Sequence, residues 1–237
     1  MILAGKVRVG NEVVSKAGRL FPEDCAPELL GGERIFVSRG GVKLEHALRE
    51  FDIQLPGQTV LDVGASTGGF TDCLLQQGAQ KVYAVDVGYG QLNWKLQTDP
   101  RVVVLDRKNI RYLDLEAIGR PVDLAVIDVS FISLKLVIPP VIRLVKPGGG
   151  LVALVKPQFE VGRTEVEHKG IIKDPQKHLT VLLGLRDFVQ EQGWVVRGLA
   201  VSPITGQKGN REFFIHCVSA RHGESVGEEA VRKLVLD

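Results

Sequence analysis

The sequence predicts an α/β protein: a doubly wound, mostly parallel seven-stranded sheet with helices on both faces, preceded by a small β-rich segment. Three observations carry this reading. From residue 38 onward, short β-branched runs alternate with helical stretches, which is the signature of βαβ units. A glycine-rich turn separates the first run from the helix after it. The last two runs are separated only by residues 202–210, and a parallel crossover needs about a dozen residues or more, so the final strand must run antiparallel.

Along the chain, residues 6–9 and 12–14 read as β runs joined by Gly10-Asn11, a hairpin signal. Pro22, Pro27 and Gly31-Gly32 then mark a loop. Residues 1–37 are too few to bury a core and read as part of a module. After the Ser38-Arg39-Gly40-Gly41 corner, Leu44, Ala47, Leu48 and Phe51 form one face of an amphipathic helix. Strand 59–63 follows, then a helix carrying Phe70, Cys73 and Leu74, stopped by Gly78. Further strands fall at 81–87, 102–105, 122–129, 151–155, 194–201 and 211–219. Helices fall at 91–96, at 134–145 with an interruption at Pro139-Pro140, at 175–192 and at 228–235. The 122–129 run has the continuous apolar character of a strand buried on both faces. A doubly wound sheet closing on an antiparallel hairpin is the Rossmann-like class I methyltransferase sheet, whereas a plain dinucleotide fold ends on a parallel strand.

Composition narrows the class. The 237 residues are 44% hydrophobic and 24% charged, an ordinary globular balance. Three widely spaced cysteines, Cys25, Cys73 and Cys217, form no CxxC pair, so no disulfide framework or cysteine-rich zinc site is expected, and no metal site. They fit a reducing, cytoplasmic setting. No apolar run reaches the ~18 residues of a membrane span, and the early Lys6 does not suit a secretory leader. Neither secretion nor membrane integration is expected. The net charge is only +2, but Lys6, Arg8, Lys16 and Arg19 crowd the start, and Arg107, Lys108 and Arg111 form a second cluster. Each cluster alone reads as a solvated face.

Residues 61–72 read Leu-Asp-Val-Gly-Ala-Ser-Thr-Gly-Gly-Phe-Thr-Asp. The glycines let backbone approach a ligand at the start of a helix. The loop has no Lys or Arg and is not a phosphate loop, and it lacks GxGxxG spacing. Asp86 closes the next strand, at the distance where an acidic residue holds a ribose diol. An adenosine-bearing ligand with no phosphate requirement fits, and S-adenosyl-L-methionine is one. Gly64-Ala65-Ser66-Thr67-Gly68 also matches the nucleophile elbow GxSxG, with Asp128 and His216 downstream. A hydrolase builds several strands before its elbow, whereas here one strand of the sheet precedes Ser66.

Ligands in open α/β sheets bind beyond the carboxyl ends of the strands. Asp128 ends the fourth strand and Lys156 the fifth. Glu212 begins the reversed last strand and so reaches the same edge, and Lys43 lies in the helix entering the first strand. Taken singly, each reads as a member of a surface ion pair. Together they suit alkylation of a hydroxyl, which needs the oxygen in line with the methyl carbon and a base for its proton.

With these residues in hand, the chain resembles the TlyA family, haemolysin-A-like ribosomal RNA methyltransferases with an FtsJ-type catalytic domain. The resemblance is carried by residues 37–45, 61–72, 82–92, 123–133, 155–160 and 208–213 and spans about residues 1–220. It implies S-adenosylmethionine-dependent 2′-O-methylation of ribose in ribosomal RNA, at cytidines. It implies a catalytic tetrad of Lys43, Asp128, Lys156 and Glu212, with Lys156 as base. Donor contacts would fall on Asp62, Gly64, Ser66, Gly68, Gly69 and Asp86, with Asn109 in the adenine pocket and Asp106 its rival. The partner would be ribosomal RNA or a ribosomal subunit, and no membrane. Residues 1–28, through the run Leu3-Ala4-Gly5-Lys6-Val7-Arg8-Val9, resemble the second half of an S4 RNA-binding module, which makes 1–37 a partial S4-like module; without the helices that precede that run in the family, weaker RNA affinity is expected. The methyltransferase domain would be 38–237. Two rival readings remain: an RNA-binding protein with an inactive methyltransferase fold, and a membrane-active haemolysin. The stretch 160–174 reads either as an RNA-facing loop or as a plain connector.

Overall fold

The computed structural model describes residues 7–10, 12–14, 18–22, 25–29, 35–162, 170–206, 208–219 and 224–236. The chain divides into two compact units, Met1–Ile35 and Phe36–Asp237.

In the smaller unit, β1 (Val7–Val9) pairs antiparallel with β2 (Glu12–Val14) and with β3 (Pro27–Leu29), in the order β2-β1-β3. Gly10 turns the hairpin at φ +58°. The third strand is not expected from sequence, because Pro27 reads as a loop breaker. Here Pro27 opens an edge strand, where its missing N–H costs no ladder bond. Residues 3–6 of the S4-like run, Lys6 among them, and Lys16 lie outside the described residues, as does 163–169 of the 160–174 stretch.

The larger unit is built on a sheet of β4 (Thr59–Val63), β5 (Lys81–Val85), β6 (Val102–Leu105), β7 (Val122–Ile127), β8 (Val145–Val155), β9 (Trp194–Val201) and β10 (Phe213–Ser219). The order is β6-β5-β4-β7-β8-β10-β9. All neighbours from β6 to β8 are parallel, and β10 runs antiparallel to both β8 and β9, as the short 202–210 connection requires. The order reverses between β4 and β7, so their tips flank the switch point where such sheets bind ligands.

Both faces are covered, and the strands show it residue by residue. On β4, Val60 joins the core beneath α1 (Arg39–Glu50), α2 (Gly69–Gln76) and α3 (Trp94–Gln97), while Leu61 and Val63 join the opposite core. That second core is closed by α4 (Leu134–Ile142), α6 (Pro175–Glu191) and α7 (Glu228–Leu236). A single-turn helix, α5 (Pro157–Glu160), follows β8.

Strands 81–87 and 122–129 end two residues early, helix 91–96 begins only at Trp94, and two further elements depart more deeply from the sequence reading. Pro139 and Pro140 do not interrupt α4, which runs through both. The N–H groups they lack would have bonded the carbonyls of Lys135 and Leu136, which are exposed residues, so the missing bonds fall on the outer side of the helix. Val137, Ile138 and Val141 meanwhile bury the apolar face. Strand β8 begins at Val145 rather than 151, because a glycine-rich excursion interrupts its ladder with β7 without ending it: Val122 pairs with Val145 and Leu124 with Gly150.

Asp62 sits inside β4 with no solvent exposure. Its Oδ2 accepts the Thr71 hydroxyl of α2 at 2.6 Å, and its Oδ1 has no hydrogen-bond partner among the described residues. Burial is the main cause that pushes this carboxyl up to about 7. The folded state therefore keeps a proton that the unfolded chain releases near pH 4, so this stabilisation is complete in acid and fades as pH rises through about 7. Asp62→Asn removes the fading. Its melting temperature relative to wild type should climb by a few degrees between pH 5 and pH 8 in thermal denaturation. A difference that stays constant with pH would remove the buried-charge account.

Candidate active site

The glycine turn is built by backbone needs. Gly64 leaves β4 at φ +85°, and a Cβ there would stand 2.5 Å from the Asp128 carbonyl oxygen. The turn is bound to the β5 tip: Gly64 N–H and Ala65 N–H both donate to the Val85 carbonyl, at 2.8 and 3.2 Å. Ser66 adopts φ +48°, uncommon for a residue with a side chain, and its N–H donates to Asp86 Oδ2 at 2.8 Å. Asp86 Oδ1 accepts from Gly88 N–H at 2.7 Å, so this carboxylate ties the loop after β4 to the loop after β5. Gly68, at φ +96°, presses on Leu92 and Leu96. Gly69 opens α2 against Ser38, Gly40 and Gly41, which lets the starts of α1 and α2 meet.

That meeting brings in Lys43. Ser38 caps α1 and its side chain accepts from Gly40 N–H, and Val37 N–H donates to Asp72 Oδ2 of α2 at 2.7 Å. One turn into α1, Lys43 Nζ pairs with Glu212 Oε2 at 2.6 Å. Glu212 is only 3% exposed. It lies just before β10 rather than within it, and its carbonyl still accepts from Ser202 N–H at 2.9 Å. Gly206 closes over its carboxylate, leaving no room there for a Cβ.

The second pair lies across the switch point. Asp128 N–H donates to the Val63 carbonyl at 2.9 Å, which fixes the residue at the β7 tip. Its Oδ1 lies 2.6 Å from Lys156 Nζ at the β8 tip, and Lys156 also donates to Ser130 Oγ at 2.9 Å. Both pairs face one cavity of about 740 Å³, whose walls include Gly64, Ser66 and Gly69 as well as the four charged residues. Ion pairs withdrawn this far from water persist when each charge has its partner; removing one partner strands the other.

The remaining sequence-expected positions stand elsewhere. Asp62 supports the turn from beneath, and Gly68 faces the α3 side chains. Asn109 accepts from Arg111 N–H at 3.1 Å as a cap, and its rival Asp106 accepts from Gly90 N–H at 2.8 Å. The elbow reading lacks its base: His216 stacks on Phe51 at 5.3 Å, inside a face where burial holds its imidazole down at about 4, and Asp128 is engaged by Lys156.

Sequence reading missed Ser130, Phe131 and Phe159, all on the cavity wall. Phe131 is 89% exposed at φ +64°, and its ring lies 5.0 Å from that of Phe159. A lone aromatic beside Asp128 carries no periodic signal, and its exposure exists only in three dimensions.

Residues 36–218 match the FtsJ-like methyltransferase family. The chain is 47% identical over 216 residues to the 16S/23S rRNA (cytidine-2′-O)-methyltransferase TlyA of Mycobacterium tuberculosis, an alignment covering 91% of this chain and 81% of that protein. It is 40% identical over 220 residues to Hemolysin A of Brachyspira hyodysenteriae, covering 92% of this chain and 91% of the relative. A solved Streptococcus thermophilus structure that carries the hemolysin label superposes with a TM-score of 0.83 at 40% identity, covering 99% of this chain and 86% of the other. Matched through the whole sheet of its larger unit, the chain belongs to the FtsJ-like methyltransferase family, alongside TlyA and Hemolysin A.

Proposed function

We propose that this protein is an S-adenosylmethionine-dependent ribosomal RNA methyltransferase that modifies the 2′ oxygen of a cytidine ribose, with Lys43, Asp128, Lys156 and Glu212 as its reacting set. The observation that carries the reading is the pair of opposed ion pairs facing one cavity beside the glycine turn. The family and the TlyA relative support the reaction class. No helix among the described residues is long and apolar enough to cross a membrane.

The residues present suit the donor. At Gly64 a Cβ would meet backbone, so only a bare Cα leaves the turn its present path next to Asp128. The turn offers backbone and no cation, as a ligand without phosphate requires. Gly64, Ser66 and Gly69 would hold the donor along the turn, and Asp86, with Asn109 farther out, would reach its adenosine end; Asp62 and Gly68 would keep the turn in shape. S-adenosylmethionine, when bound, supplies an electrophilic methyl carbon on a sulfonium.

The chain's own groups would handle the acceptor. As the base, Lys156 acts as the neutral amine: its lone pair takes the 2′-hydroxyl proton while the 2′ oxygen bonds the methyl carbon, and the ammonium so formed is held by Asp128 Oδ1, 2.6 Å away, and by Ser130 Oγ at 2.9 Å. Asp128 holds the nitrogen and places negative charge where the methyl group crosses. Lys43, held by Glu212, steadies the acceptor ribose from the α1 side. The exposed Phe131 ring, backed by Phe159, offers a stacking face for an unpaired base, as sequence-tolerant RNA sites do.

Three outcomes are expected. Lys156→Met should lower kcat for methyl transfer to rRNA by about 10²- to 10⁴-fold, with donor affinity in isothermal titration nearly unchanged; a small change in kcat removes Lys156 as the base. Gly64→Ala should weaken donor binding by about 5- to 150-fold, since strain at such a position costs about 1–3 kcal/mol and is relieved by moving the turn; unchanged titration would show that the turn does not bear on the donor. Phe131→Ala should raise KM for RNA by about 5- to 100-fold, the worth of one stacked base, and leave donor binding alone. Mapping of 2′-O-methylated sites on rRNA from cells with and without the protein identifies the nucleotide, and identical maps would refute the rRNA assignment.

A further inference from the structure

The segment leaving Asp128 has no regular structure until α4 and passes through Phe131 at positive φ. Such a segment keeps one geometry only when both of its ends are tied. The front end is tied at Asp128, whose N–H is held by Val63. The back end is tied by Glu160, a residue with no part in the chemistry above.

Glu160 closes the single turn of α5, whose N-cap is Lys156. The turn is firm: Pro157 begins it, and Val161 N–H donates back to the Pro157 carbonyl at 3.1 Å. From its end, Glu160 Oε1 accepts the Leu134 N–H at 2.8 Å and Oε2 accepts the Ser133 hydroxyl at 2.6 Å. Ser133 is the N-cap of α4, its Oγ also accepting from Lys135 N–H at 3.1 Å. A carboxylate is favoured at a helix start by the free N–H groups and the helix dipole, and its two oxygens fix angle as well as distance. Glu160 is outside the large cavity. It lines a separate hollow of about 260 Å³ shared with α6, where Lys135 and Lys177 are the other charged residues. Burial pushes its carboxyl up from the ordinary glutamate range, while the two hydrogen bonds and Lys135 oppose that.

We propose that Glu160 is a positioning residue for methyl transfer: by clamping the start of α4 to the turn after Lys156, it keeps Asp128 and Ser130 in register with Lys156. The proposal rests on the methyl-transfer reading above. Phe131 against Phe159 is the same joint seen from the cavity side, so the clamp also sets the exposed ring.

The test compares Glu160→Ala, Glu160→Gln and Glu160→Asp in two assays. In steady-state methylation of rRNA, Ala should lower kcat by about 10- to 100-fold, the usual cost of a misplacement near 1 Å, while the S-adenosylmethionine Kd stays within about twofold. Gln should recover most of the loss, because its amide oxygen accepts from Leu134 and its NH₂ can donate to the Ser133 hydroxyl. In hydrogen–deuterium exchange, Ala should speed exchange across 129–134 and 157–161 together, and Gln should restore protection. Unchanged kcat in folded Ala, a Gln variant no better than Ala, or unchanged exchange across 129–134 each overturns the proposal. If Ala does not fold, Asp, one methylene short of both partners, is read by the same criteria. If the wild-type protein methylates no RNA, the proposed function falls, and the exchange assay still decides the clamp.

Discussion

Charges shielded from water must be paired, and in this protein that requirement shapes one edge of the sheet. Glu212 is almost wholly buried and Lys43 largely so, yet 169 residues separate them. Their contact exists only because β10 runs backwards, which returns its first residues to the edge where β4 and β7 end. A parallel last strand would carry Glu212 to the opposite edge and leave Lys43 without a counter-charge. The antiparallel hairpin, which the short 202–210 connection imposes, is therefore what lets this buried pair form.

The second condition is steric. Two chain segments approach more closely than side chains permit, and glycine stands at each contact. Gly64 lies against the Asp128 carbonyl, and Gly69 lies against the turn of Ser38 and Gly40. The first contact sets the spacing between the glycine turn and the Asp128–Lys156 pair; the second sets the spacing between that turn and the Lys43–Glu212 pair. Phe36 packs over Gly41 at the start of the same helix, where a Cβ would meet its ring. Backbone bonds do the rest, with the Val85 carbonyl taking two N–H groups of the turn and Asp86 taking a third. The cavity is thus walled by main chain and short side chains at the glycine turn, and around the rest by the two ion pairs, Arg39, Lys208 and the rings of Phe70, Phe131 and Phe159.

Much of this could be read in the sequence, because it rests on local signals. The turn at 64–69 is a run of glycines between a strand pattern and a helix pattern. Asp86 follows at a fixed distance, and the shortness of 202–210 forces the strand reversal by chain reach alone. The departures share a cause. Pro139 and Pro140 break helices when their neighbours' carbonyls are buried, and here those carbonyls belong to exposed residues. Pro27 breaks a strand when its neighbour needs a donor, and here it lies on an edge. Asp62 reads as one more polar residue of the ligand turn, while in the fold it lies beneath it. Each depends on which side of a residue faces solvent.

The sequence by itself determined the order of strands and helices, the glycine turn, and the candidacy of four charged residues, Asp128 and Lys156 after their strands, Glu212 before the last strand and Lys43 in the first helix. Periodicity, backbone freedom and chain length are properties of neighbours along the chain. Tertiary structure alone decided that Lys43 faces Glu212 and Lys156 faces Asp128, that Ser130 shares Lys156, that Phe131 stands in solvent, and that Glu160 reaches the start of α4. Those relations join residues from different elements, and no local pattern encodes the few ångströms between them.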